Sequence, residues 1–159
     1  METKQSASME DYLESILMLG QGKEAVRVSQ MSKALGVKMP SVTSALTKLS
    51  QEGLVEHQRY GRVQLTQEGE RIAEDVFHRH EALRHFLSEI LNIDPETAAD
   101  DACKMEHTIS PATQEKLAKF VQFVSSPAQG QPKWLKIFHS YAKQAKFPKE
   151  YVTRCLKED

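Results

Sequence analysis

Cys103, Glu106 and His107 set a thiol, a carboxylate and an imidazole at i, i+3 and i+4, spacings that share one face of an α-helix. Three donor types on one face are suited to a divalent cation. Asp11 and Glu14 form a separate i, i+3 pair near the N-terminus, and His80 lies between the two groups. Six oxygen, nitrogen and sulfur donors of mixed hardness point to Mn(II), Fe(II), Co(II), Ni(II) or Zn(II) rather than Mg(II) or Ca(II). A second set is basic and hydroxylated. Lys38, Pro40, Ser41, Thr43, Ser44 and Lys48 fall in one short stretch, and Arg59, Tyr60 and Arg62 follow. Lysines bind phosphates whatever the base sequence, whereas Ser and Thr hydroxyls reach bases or phosphates.

Helices must position most of these groups. Met9, Tyr12, Leu13, Ile16 and Leu17 recur at helical spacing, predicting a helix over about 8–21 that ends near Gly20 and Gly22. Ser29 is the expected N-cap of a second helix that stops at Gly36. Pro40 opens a third that stops at Gly53, so the pair forms a helix-turn-helix. Leu54-Val55 and Val63 to Leu65 read as two strands around a turn with Gly61 at its tip, which makes a wing. Thr66 is placed to cap a long helix whose apolar stripe runs from Ile72 to Leu91. Asp94-Pro95 starts a helix to about Thr108, and Ser110-Pro111 starts another through Val124. Residues 125–132 read as a loop. Beyond it lie Trp134, Phe138 and Tyr141, then a final helix led by Pro148. In a helix-turn-helix the second helix enters the major groove N-terminus first, which aims Lys38, Pro40, Ser41, Thr43, Ser44 and Lys48 at DNA. Arg59, Tyr60 and Arg62 of the wing meet the backbone or minor groove.

Length and charge narrow the field. At about 150 residues per domain, 159 residues make one domain or two small ones, which excludes a large multidomain enzyme. The sparse Gly and Pro, 7 and 6, lean toward helix. Cys103 and Cys155 are too few for a disulfide framework. No apolar stretch approaches the ~18 residues of a membrane span, and no signal-like start is present, so the expected location is the cytoplasm with no membrane partner. The net charge of −1 hides a basic segment, residues 23–62, with seven cations against three acids. Residues 73–108 carry nine acids against three cations. That division suggests a polyanion-binding face beside a cation-attracting site, with plain solvated surface as the competing reading.

Five stretches together resemble the diphtheria-toxin-repressor family of metal-dependent transcriptional regulators, over about residues 8–125. They are Ser8 to Glu14, Pro40 to Thr43, Leu65 to Gly69, Arg79-His80-Glu81 and Cys103 to His107. The resemblance implies a mainly α protein: a winged helix-turn-helix DNA-binding domain with a small β-hairpin (1–72) and an α-helical metal-binding and dimerisation domain (73–145), before a helical tail (146–159). It implies metal ligands at Asp11, Glu14, His80, Cys103, Glu106 and His107, and no catalytic residue or small organic substrate. It also implies a homodimeric repressor bound to an inverted-repeat operator when metal is present. Cys103 is similar to the iron-responsive branch and Asp11 with Glu14 to the manganese-responsive one. Soft sulfur tips the expectation to Fe(II), with Mn(II) the alternative and Zn(II) or Co(II) as substitutes in vitro. Arg84 and Ala99 stand where the iron branch's ancillary site has an acid and a histidine, so that site is not expected, and His80 is expected to join Asp11 and Glu14 in a second, adjacent metal position. Two other readings compete: a small metallohydrolase with Glu106 as base beside a metal held by His80, His107 and Cys103, and a metal-independent winged-helix sensor responding to a small molecule or to oxidation of Cys103.

Overall fold

The computed structural model describes residues 7–21, 24–126 and 132–145. The chain divides into two compact units between His78 and Arg79. The first holds α1 (Ala7–Leu19), β1 (Val26–Arg27), α2 (Val28–Leu35), α3 (Met39–Gln51), β2 (Val55–Gln58), a 3-10 turn (Arg59–Gly61) and β3 (Arg62–Leu65). It ends partway along α4 (Gln67–His85). Its core is built from one face of each helix: Leu13 and Ile16 of α1, Met31 of α2, Val42, Leu46 and Leu49 of α3, with Val63 and Ala73.

The expected hairpin gains a third strand. β1 pairs antiparallel with β3, Val26 opposite Val63, and β3 pairs antiparallel with β2, Val55 opposite Leu65, so the order is β1-β3-β2. This shifts the start of α2. Ser29 is not its N-cap. Arg27 leaves β1 with extended dihedrals and is itself the N-cap, its backbone N–H donating to Gln30 Oε1 at 2.9 Å. Gly36 closes α2 in the left-handed conformation, φ 65°, which glycine adopts without a Cβ penalty.

Thr66 caps α4 as expected, and it also ties the helix to the sheet. Its hydroxyl accepts from Gly69 N at 3.1 Å and donates to Gly53 O at 2.7 Å, while its N–H donates to Leu54 O at 3.0 Å. Gly69 packs so closely on the residue before β2 that an added Cβ would lie 1.9 Å from Leu54 O.

In the second unit α4 passes into a π-turn (Phe86–Ile90), followed by α5 (Pro95–Glu106), α6 (Pro111–Val124) and α7 (Lys133–Gln144). Leu83, Leu87, Ala98 and Ala102 form one apolar cluster, and Ile90, Val121, Val124 and Leu135 form another. His139 of α7 lies 2.9 Å from Ile90 O through Nε2, satisfying a carbonyl at the end of the π-turn. Phe120 stands between Phe86 and Trp134, with ring centroids 6.3 and 6.5 Å away. The expected Pro148-led helix, the 146–159 tail and Cys155 lie outside the described residues. No helix among the described residues is long and apolar enough to cross a membrane.

Asp94 and Ser110 cap α5 and α6, accepting from Thr97 N and Thr113 N. The Thr97 N–H holds the Asp94 carboxyl below its ordinary value of 3.8. A depressed folded-state value means that the stabilisation is present above the unfolded value and is lost as pH falls through the folded one. The melting temperature of Asp94→Ala should therefore lie below wild type at pH 6, and the gap should close as pH is lowered past 3.8, as followed by circular dichroism.

Candidate metal centre

In the second unit, α5 buries Ala98 and Ala102 against its neighbours and leaves Lys104 on the outside, ion-paired with Asp100. This orientation carries the next turn inward. Glu106 has no side-chain exposure, and His107, the C-cap, has 10 %. One donor atom from each of Cys103, Glu106 and His107 lies within 4.8 Å of the others. His80 comes from α4, with Nδ1 3.1 Å from Glu106 Oε2.

The two oxygens of Glu106 differ. Oε2 has the contact with His80. His107 Nε2 stands 3.3 Å from Oε1 without the alignment of a hydrogen bond, so Oε1 is a buried acceptor with no hydrogen bond among the described residues. A carboxylate removed from water costs several kcal/mol unless a cation or a set of donors replaces the solvent. Two imidazoles and a thiol around it are metal donors. The residues present fit a divalent transition-metal ion.

Gln114, which the sequence pattern does not single out, donates from Nε2 to the backbone oxygen of Glu106 at 2.7 Å. It anchors the last turn of α5 from α6. No local motif could reveal this bond, because it joins residues on different helices. Arg84 is committed elsewhere. Its Nε and Nη2 donate to the two carboxylate oxygens of Glu81, each at 2.8 Å, and this pairing holds the Glu81 carboxyl below the usual carboxylate range. Ala99 brings no donor atom.

Asp11 and Glu14 lie half-buried on α1, in the first unit. The same unit displays the basic and hydroxylated set. Pro40, Ser41, Thr43, Ser44 and Lys48 of α3 are exposed, as is Lys38, its N-cap. Arg59, Tyr60 and Arg62 are exposed at the wing. Tyr60 adopts φ 62° and is 94 % exposed. A bulky residue in the left-handed region costs about 1–2 kcal/mol, and here that conformation projects an aromatic ring from the tip of the wing.

Comparison with known proteins covers both units. Residues 4–63 match the model of the iron dependent repressor N-terminal DNA binding domain, and residues 66–135 that of the iron dependent repressor metal binding and dimerisation domain. The chain is 37 % identical over 116 residues to the HTH-type transcriptional regulator MntR of Bacillus pumilus, covering 73 % of this chain and 80 % of that one. Among solved structures, a manganese-dependent transcriptional repressor in complex with manganese matches with TM-score 0.66 and 28 % identity, covering 72 % of this chain and 53 % of that one. The IdeR of T. acidophilum matches with TM-score 0.63 and 26 % identity, covering 70 % and 52 %. The chain thus spans about half the length of these solved proteins.

Proposed function

We propose that this chain, which belongs to the iron-dependent repressor family of metal-dependent transcriptional regulators, is an iron-responsive repressor that grips operator DNA as a homodimer when Fe(II) is bound. The observation that carries this reading is the buried Glu106 carboxylate, with one oxygen lacking a hydrogen bond and with His80, His107 and Cys103 for neighbours. Cys103 supports iron, because a thiolate is a poor ligand for Mn(II). The manganese-responsive alternative rests on the MntR relative, on the manganese-bound neighbour, and on Asp11, a hard donor.

The ligand set is Asp11, Glu14, His80, Cys103, Glu106 and His107. When bound, metal would supply the positive charge that offsets these acids, with His80 joining Asp11 and Glu14 in a second, adjacent position. Cys103, Glu106 and His107 hold their places on α5, and Gln114 fixes the backbone there. Asp11 and Glu14, carried by α1 beneath the helix-turn-helix, transmit occupancy to the DNA-reading surface. In a dimer this sets the spacing of two α3 helices near one turn of an inverted repeat, about 34 Å or a multiple. Cytoplasmic residence follows from that role. Residues 1–72 serve DNA binding and 73–145 metal binding and dimerisation.

Full-length protein should retain a duplex, selected from a random pool, at least tenfold more tightly with Fe(II) under anaerobic conditions than with chelator, in a gel mobility shift. Binding undiminished by chelation would overturn the reading. A response to Mn(II) at lower free concentration than Fe(II), relative to cellular supply, would favour the alternative.

A further inference from the structure

The outer face of α3 carries a threonine that the helix-turn-helix pattern does not single out. Val42, Ala45, Leu46 and Leu49 are buried. At about 100° per residue, Pro40, Ser44 and Thr47 fall within about 60° of arc opposite the buried face, Thr43 lies about 40° further round beside Thr47, and all four are exposed. Thr43 Oγ1 donates to Met39 O at 3.1 Å, and Thr47 Oγ1 donates to Thr43 O at 2.9 Å. Each hydroxyl proton is therefore spent inside the helix, and each χ1 is fixed by that bond. Outward, a threonine in this state presents a methyl group and an acceptor lone pair, and no donor.

This limits what the ridge can read. In the major groove an A·T pair displays the thymine C5-methyl and the adenine N6 donor, whereas a G·C pair displays no methyl. A methyl beside an acceptor complements the first and wastes its apolar half on the second. Ser41 and Ser44 carry no methyl, and Lys38 and Lys48 supply phosphate attraction without base preference. The geometry points to Thr43 and Thr47 as specificity-determining residues that read A·T pairs by contact with the thymine methyl, through a stacked pair of back-bonded threonines on α3. This rests on the regulator reading above, and Thr47 extends the set of DNA-contacting residues by one.

The test compares wild type with Thr43→Val/Thr47→Val and Thr43→Ser/Thr47→Ser, with Fe(II) under anaerobic conditions and, in parallel, with Mn(II). The probe is a duplex selected by the wild type from a random pool, with its thymines either kept or replaced by deoxyuridine. Wild type should bind the uracil duplex about four- to fifteenfold more weakly, as one or two lost methyl contacts would give. The valine pair keeps the methyls and should keep that ratio. The serine pair keeps the hydroxyls and should bring the ratio close to one. Circular dichroism melts check that both variants fold. Equal affinity of wild type for the two duplexes, an unchanged ratio in the serine pair, or a lost ratio in the valine pair would each overturn the assignment. Failure of wild type to retain any duplex with either Fe(II) or Mn(II) would sink the regulator reading and this assignment with it, whereas retention without a thymine preference sinks only the latter.

Discussion

Replacing Glu106 by glutamine is expected to raise the metal concentration for half-maximal DNA retention by about 10²–10³-fold, while the metal-free protein melts at the same temperature or higher. The first effect follows from charge. Residues that only orient a ligand typically change metal affinity by about 10–100-fold, so removing an anionic donor from the centre should exceed that. The second follows from burial. Glu106 has no side-chain exposure and one oxygen without a hydrogen bond, so without metal its charge is a burden on the fold. Glutamine has nearly the same shape, removes the charge and leaves an oxygen for the His80 contact. Calorimetric titration with Fe(II) under anaerobic conditions and with Mn(II), alongside melts in chelator, separates the two quantities. A half-point within threefold of wild type would mean that Glu106 is not a ligand.

Gly69→Ala should destabilise the first unit by about 3–5 kcal/mol, among the largest effects a single methyl group produces. The obstacle is space. The new Cβ would stand 1.9 Å from Leu54 O and 2.9 Å from Leu54 C, both backbone atoms that cannot rotate away as a side chain would. The Gly53-Leu54 segment before β2 must retreat, which pulls on the Thr66 N to Leu54 O bond and on the Thr66 hydroxyl bond to Gly53 O. For a unit of this size the midpoint should fall by roughly 15–30 °C. Gly61→Ala is the control: nothing lies within 4 Å of its added Cβ, and only the left-handed backbone at φ 67° resists, so about 1 kcal/mol is expected. Amide exchange of the first unit measures both. Equal losses in the two variants would refute the steric account.

What the sequence made legible was chiefly what is local. Asp94-Pro95 and Ser110-Pro111 announce their helices because the capping hydrogen bond closes within three residues, and Thr66 does the same. Ser29 misled for a tertiary reason. β1 is two residues long and exists only through its partner Arg62-Val63, far along the chain, so nothing nearby marks Arg27 as the end of a strand. The wing was legible from Gly61, but the left-handed turn begins one residue earlier, at Tyr60. At the candidate centre, the i, i+3, i+4 spacing already groups Cys103, Glu106 and His107, whose donor atoms the fold brings together. The orphaned oxygen of Glu106, the approach of His80 and the Gln114 bond depend on packing between helices, which no spacing encodes.

The indole of Trp134, set beside Phe120 in the second unit, is the single one in the chain. Every photon of tryptophan emission therefore originates on α7. Unfolding traced at that wavelength registers the collapse of the second unit and not that of the winged helix, so a mismatch between emission and amide signals would time the two units separately.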